Sequence, residues 1–436
     1  MAYADEPKII HKYIDVPGVE KISVYEEQAE GYAAWRKALS EMSGDDVLNE
    51  VKTSSLGGRG GAWFPTGMKW SFMPKPVFPK YLVCNCDESE PGTFSNREIV
   101  LKTPHTLLEG FMLGCYAIGC THGYIYVRGE MMKGYYNLRR ALAEAKARGY
   151  VGKNVLGSGF DLEITIHTGA GAYICGEETA LLSSLEGDRG QPRLKPPFPA
   201  VAGLYAKPTS VNNVETLSNI PYIIREGSTA FKQFGTERSP GMKIVSVSGH
   251  VENPGNYEVP VGTPISKVVN EYAGGVWKGK QLKGFYPGGS STPMLTPDKF
   301  DTPLDPASIT AAGSILGTAG LCIFDEDTDI VHVAARLIQF YKHESCGKCT
   351  PCREGNDWLT AVLRRIDQGK GRDGDLDMLI DMSNNIAGRS FCLLGDAATA
   401  PVLSSIKNFR EDFEKRITNP PDEKVFIPLS IANSHH

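Results

Sequence analysis

The sequence predicts an α/β region, then a small α+β module, then an all-α bundle, and three observations carry that prediction. Between residues 81 and 216, short apolar runs alternate with stretches of helical period, as strands joined by crossover helices do. Between 243 and 330, strand-like runs dominate and are broken by Pro254-Gly255 and Gly274-Gly275. From 331 onward, apolar residues recur every three or four positions. A chain of 436 residues is too long for one ordinary core and should divide into two or three domains. Apolar content of 41% and charged content of 22% are those of a globular protein. The net charge is −5 and no basic run stands out, which argues against nucleic acid or an anionic membrane as partner. The longest apolar stretch, residues 107–120, carries Glu109 and is too short to span a bilayer. The N-terminus has no apolar signal region.

In order, residues 1–50 read as an N-terminal helical extension, one or two helices, with Tyr32, Trp35 and Leu39 on one face. Residues 81–84 form a buried strand. Residues 107–118 form a helix, 123–128 a strand, 135–145 an amphipathic helix and 162–166 a strand. Residues 211–216 open a further helix, capped by Asn212 or Asn213. The stretch 226–242 is polar and rich in Gly and Pro, and marks a boundary. The α+β module then runs through strands at 244–247 and 257–260, a short helix at 265–272 and a closing strand at 316–324. Helices ending near 341, 366 and 386, and a last one whose apolar face is Val402, Ile406, Phe409, Phe413 and Ile417, suggest an antiparallel bundle. The terminal His435 and His436 are the chain's own end or a tag remnant.

The densest chemical signal is the loop at 56–70, with Gly57, Gly58, Gly60, Gly61 and Gly67 beside Arg59 and Lys69. Glycines let backbone N–H groups approach an anion, and the two cations add charge, so the loop reads as a phosphate cradle. The same composition also describes a long surface loop. It is not a Walker A motif, because Met68 separates Gly67 from Lys69 and Trp70 follows where Ser or Thr is required. Nor is Gly169-Ala-Gly171 a dinucleotide fingerprint, since Ile174 replaces its third glycine. Directly after the strand at 81–84, Asn85, Asp87, Glu88 and Glu90 crowd one loop, where open α/β sheets bind ligands. Carboxylates there can accept hydrogens from ribose or amide groups, or form a solvated turn.

Ten cysteines with no export signal argue against a disulfide framework. Cys346, Cys349 and Cys352 fall within seven residues, and Cys392 is a candidate fourth ligand. This run favours an iron–sulfur cluster over zinc, whose thiolates usually come as two separated pairs, and Pro351 beside Cys352 is typical of such runs. The remaining six read as small buried apolar residues. A phosphate cradle and a cluster together imply electron traffic. Between a two-electron hydride donor and a one-electron cluster, a flavin is the natural converter. A zinc-stabilised nucleotide-binding scaffold is the rival reading.

Five motifs now stand in one order: Gly58-Arg-Gly-Gly-Ala-x-Phe-Pro-Thr-Gly67-x-Lys-Trp70, Asn85-x-Asp-Glu-x-Glu-Pro-Gly92, Gly169-Ala-Gly-Ala-Tyr-Ile-Cys-Gly-Glu-Glu178, Val211-Asn-Asn-Val-Glu-Thr216 and Cys346-Gly-x-Cys-x-Pro-Cys-Arg353. Over residues 30–415 they closely resemble the flavoprotein, NADH-oxidising subunit of respiratory complex I, a family with homologues in soluble hydrogenases and formate dehydrogenases. The resemblance implies a Rossmann-like FMN- and NADH-binding domain over 51–238, a ubiquitin-like β-grasp domain of SLBB type over 239–330, and a helical bundle over 331–436 holding one [4Fe–4S] cluster. It implies FMN contacts at Gly58, Arg59, Gly60, Lys69, Asn85, Asp87, Glu88, Gly176, Glu177, Asn212, Asn213 and Thr216. NADH contacts fall at Phe64, Phe72, Glu90, Tyr173, Glu178, Lys195 and Phe198, and cluster ligands at Cys346, Cys349, Cys352 and Cys392. No side chain is expected to act as a catalytic acid or base. Implied partners are a thioredoxin-like [2Fe–2S] subunit and a larger iron–sulfur subunit, with the chain cytoplasmic and peripheral to the inner membrane through them. One departure stands out: the related loops have glycine where this chain has Trp63. Either Trp63 takes an ordinary backbone conformation with its ring directed away, or it adds a stacking wall near the cofactor; the first is favoured, because a bulky residue tolerates positive φ poorly.

Overall fold

A computed structural model describes Tyr3 and residues 6–420; His435 and His436 lie outside it. The first layer is a four-stranded parallel sheet of β1 (Tyr81–Cys86), β2 (His122–Val127), β3 (Glu163–Thr168) and β4 (Thr209–Asn213), in the order β3-β2-β1-β4. Crossover helices such as Pro104–Ile118 and Met132–Ala147 join the strands, as parallel pairing demands. From β1 the chain builds outward to β2 and β3 on one side, then returns to lay β4 on the other. That reversal opens a crevice beyond the carboxyl ends of β1 and β4. Their register sets Asn85 level with Asn213 and Cys84 level with Asn212.

Strand β4 corrects the reading of 211–216 as the start of a helix. The helix begins only at Val214, and Asn213 is its cap, accepting from the Glu215 N–H at 2.8 Å. Thr-Ser-Val-Asn-Asn has neither an apolar run nor clean alternation, because its polar side chains are satisfied inside the fold. Asn212, for example, accepts from Trp70 Nε1 (2.9 Å) and the Ser210 hydroxyl (3.1 Å).

Among the described residues, three α-helices precede the glycine loop where one or two helices were expected: Ile22–Gln28, Ala33–Glu41 and Gly44–Thr53. They share the core of the parallel sheet, and the carboxylate inside the longest apolar stretch explains how. Buried Glu109 accepts from the Tyr25 hydroxyl (2.7 Å) and from the backbone N–H groups of Tyr32 (3.0 Å) and Trp35 (3.1 Å).

The second sheet comprises β5 (Met242–Gly249), β6 (Gly255–Pro260), β7 (Leu282–Tyr286) and β8 (Gly320–Asp325), ordered β6-β5-β8-β7. Its central pair is parallel and its outer pairs antiparallel, with a helical turn over 265–272. The sequence reading missed β7, whose Leu-Lys-Gly start is polar and bulged. Helices Ile330–Glu344, Thr350–Asp367, Asp375–Ile386 and Leu394–Glu414 follow. The last begins ahead of the apolar run at Val402; its first turns are rich in small residues and carry Pro401, which hides their period.

Candidate functional site

The glycine loop closes on itself before it meets anything else. Gly58 N–H donates to the Phe64 carbonyl (2.9 Å) and Thr66 N–H to that of Leu56 (2.8 Å). Arg59, 2% exposed, turns its guanidinium inward to the carbonyls of Met242 (3.1 Å), Gly57 (3.0 Å) and Pro240 (2.9 Å). Its backbone N–H donates to Thr216 Oγ1 at 2.8 Å. The Arg59 charge therefore fastens the loop to the start of β5 and is not presented to a phosphate. Gly60 passes Asn213 so closely that a Cβ would stand 3.0 Å from the Asn213 Cβ.

Trp63 overturns half of its expectation. Its φ is +56°, in the left-handed region that glycine fills without strain. Its ring is held by contacts with the second sheet's layer and with Arg59. The indole N–H donates to the Gly317 carbonyl (3.0 Å), the Arg59 guanidinium lies 4.6 Å from the ring centroid, and the ring packs on the β-grasp core. These contacts hold a conformation that the backbone disfavours.

A chain of alternating charges lines the crevice. Lys69 donates to Glu178 (2.9 Å) and to the Val211 carbonyl of β4 (2.8 Å). Lys195 reaches Glu178 (2.9 Å) and Glu177 (3.3 Å). Burial alone would raise the Glu178 carboxyl, but Lys69 and Lys195 outweigh it and hold the group below its ordinary range. Glu177 also caps the helix Glu178–Leu185, accepting from the N–H groups of Thr179 and Ala180, both at 2.9 Å. Asn85 donates to the Gly176 carbonyl (2.9 Å), and Gly176 sits against Asp87, leaving a Cβ 3.5 Å from its carboxylate. Burial pushes the Asp87 carboxyl up to about 7, against the pull of Ser89 and Arg128.

Glu88 stands apart from its neighbours. Its carboxylate accepts the N–H groups of Asn96 (2.7 Å) and Arg97 (2.9 Å) at the start of the helix Ser95–Lys102. The side chain expected on FMN is thus committed to a helix end. Glu90 joins all three layers. It accepts from the Tyr173 hydroxyl (2.8 Å) and from Ser291 N–H (2.7 Å) in the β-grasp layer, where Ser290 in turn bonds the Tyr341 hydroxyl of the bundle (2.8 Å). Ser290, Ser291 and Tyr341 escaped the sequence reading because no local motif marks them. Phe64, Phe72 and Phe198 are 45%, 56% and 59% exposed, and Phe64 and Phe72 lie 6.2 Å apart by centroid. Exposed rings of this kind offer faces on which a planar ligand can stack.

Cys346 and Cys349 sit in the loop after Ile330–Glu344, Cys352 in the first turn of Thr350–Asp367, and Cys392 in the segment leading into Leu394–Glu414. Phe391 N–H donates to Cys349 Sγ (3.2 Å), which brings the fourth cysteine's segment onto the first three. Burial pushes the Cys392 thiol up to about 11, and the nearby Cys346 and Cys352 add to the shift. Among the described residues, no three His, Cys, Asp or Glu side chains converge as they would around one ion. The donor set and its N–H···S contact fit a cluster. Gln191 donates to the Cys346 carbonyl (3.0 Å) and Lys348 to that of Pro192 (2.5 Å), so one short segment runs from the cysteines to Lys195. Gly60 and Gly176 pack directly against Asn213 and Asp87, which sets backbone, amide and carboxylate groups side by side in a polar wall that fits a cofactor rich in hydrogen-bonding groups.

Family models match the chain in three places. The Nuo51 FMN-binding domain matches residues 51–222, the SLBB domain 244–295, and the NADH-ubiquinone oxidoreductase-F iron-sulfur binding region 332–416. The NADH-quinone oxidoreductase F subunit of Streptomyces coelicolor is 55% identical over 390 residues, covering 89% of this chain and 86% of that one. Its counterpart in Mycobacterium bovis is 53% identical over 412 residues, covering 93% and 92%. Among solved structures, an NAD+-reducing [NiFe]-hydrogenase in the H2-reduced state superposes with a TM-score of 0.83 at 32% identity, covering 96% of this chain and 68% of that one.

Proposed function

This chain belongs to the family of NADH-quinone oxidoreductase F subunits, and from that premise we propose how its residues divide the work. The chain is an NADH dehydrogenase subunit of a multi-subunit NADH-quinone oxidoreductase. When bound, FMN takes a hydride from NADH and a [4Fe–4S] cluster carries single electrons onward.

The protein's part is to bind, orient and separate these groups. We assign FMN to the crevice beyond β1 and β4, lined by the loop of Gly58, Arg59 and Gly60, by Lys69, Asn85, Asp87 and Gly176, and by Asn212, Asn213 and Thr216. Glu177, and Glu88 through its backbone, complete that wall. NADH is assigned to the outer side, where Phe64, Phe72 and Phe198 offer stacking faces and Glu90, Tyr173, Glu178 and Lys195 offer polar contacts. Holding two rings in contact supplies reactive geometry without an acid or base. Cys346, Cys349, Cys352 and Cys392 are assigned to the cluster. The observation that carries this division is the crevice itself: glycines, amides and a lysine converge where the sheet's strand order reverses.

The functional units are taken as 51–238, 239–330 and 331–436, with the helices of 1–50 supporting the first. Partners are a thioredoxin-like [2Fe–2S] subunit and a larger iron–sulfur subunit, which hold the chain at the cytoplasmic side of the inner membrane. Among the described residues, no helix is long and apolar enough to cross a membrane. The division of roles is tested by Glu178→Ala. Losing a charged acceptor should raise the NADH KM about tenfold or more while FMN stays bound. Loss of flavin at unchanged NADH affinity would contradict it.

A further inference from the structure

Asn356 stands one turn beyond Cys352 in the helix Thr350–Asp367 and is fully buried. Its amide nitrogen lies 3.6 Å from Cys352 Sγ, within reach for the large sulfur acceptor. The Ser345 hydroxyl lies 3.3 Å from the same sulfur. Asn356 Oδ1 is buried and has no partner among the described residues. A buried carbonyl left without a donor is destabilising, so an apolar residue of similar shape would pack here at lower cost. A thiolate can only accept. Facing one, the amide must present its N–H and turn its oxygen away, which is the orientation observed. Cys352 is also the one buried cysteine of the four, where a hydrogen bond is least screened by water.

We propose that Asn356 and Ser345 donate jointly to the Cys352 thiolate and raise the reduction potential of the cluster. The proposal rests on the assignment of the four cysteines to a [4Fe–4S] cluster. Reduction adds negative charge to the cluster and its sulfurs. Donors aimed at a sulfur therefore stabilise the reduced form more than the oxidised form, and the potential rises. Asn356 and Ser345 do not ligate iron; they tune and position a residue that does.

The test is an EPR-monitored redox titration of the purified holo-complex, with iron and sulfide content measured in parallel. Asn356→Leu and Ser345→Ala should each load the cluster and titrate at a more negative midpoint. The double variant should lie lower still, with the flavin midpoint unmoved. A loaded Asn356→Leu that titrates with the wild type overturns the proposal. Should Asn356→Leu fail to load, Ser345→Ala decides: a lowered midpoint supports joint donation and an unmoved one overturns it. A wild-type complex with no [4Fe–4S] signal from this chain refutes the cluster assignment itself, a different failure from an unmoved midpoint.

Discussion

Trp63 holds a left-handed backbone that costs a non-glycine residue roughly 1–2 kcal/mol. The indole hydrogen bond to Gly317 and the stacked Arg59 guanidinium together offset about that much. Trp63→Gly relieves the strain and removes the anchor together, so thermal stability should change little. The glycine loop, freed from the β-grasp layer, should release FMN several-fold faster, followed by flavin fluorescence on dilution. Trp63→Phe, which keeps a ring but not the N–H, should fall between; equal FMN retention in all three proteins would refute the anchor. Asp87 supplies a second test at this scale. Its folded pKa is raised to about 7 by burial, so between about 4 and 7 the folded chain keeps a proton that the unfolded chain has lost. Its contribution to stability therefore falls as pH rises through that window. Buried His11 and His105, lowered to about 4, act oppositely below about 6.5. In the flavin-free protein, Asp87→Asn should cancel the Asp87 part alone. The wild-type-minus-variant difference in urea midpoint should decline from pH 4 to pH 7, and a flat difference would contradict the shift. The sequence exposed Trp63 as an oddity and Asp87 as a loop carboxylate. It could not expose the inward turn of Arg59, since a cation in a glycine loop looks the same whether it meets a phosphate or three carbonyls.

Elements were legible where burial is one-sided and periodic. The helices Pro104–Ile118 and Met132–Ala147 and strands β1 to β3 follow from their apolar spacing. Strand β4 did not, because polar residues satisfied by neighbours leave no pattern to read. Glu88 shows the same gap between composition and role. Within its motif it resembles a ligand contact, yet it terminates the helix Ser95–Lys102. Glu88→Ala would leave two backbone donors without their charged acceptor and should cost about 1–3 kcal/mol, read as a lowered urea midpoint. An unchanged midpoint would mean that the cap adds nothing.

At the scale of the whole molecule, changes of period along the chain separated the three layers well. Their junction was invisible, because it is made by side chains far apart in sequence. Glu90 and Tyr173 meet across 83 positions, and Ser291 reaches Glu90 across 201. The segment from Gln191 to Lys195 then links the cysteine loop to the charged crevice. Such a junction fits the proposal that one chain takes electrons from NADH at the crevice and delivers them to a cluster on the four cysteines. Anaerobic NADH addition to the flavin-loaded complex and to its Cys392→Ser variant puts that transfer to the proof. The flavin absorbance should bleach in both proteins, and the reduced [4Fe–4S] EPR signal of this chain should appear in the wild type alone. A flavin that NADH does not bleach, or a cluster signal that survives in the variant, would contradict it.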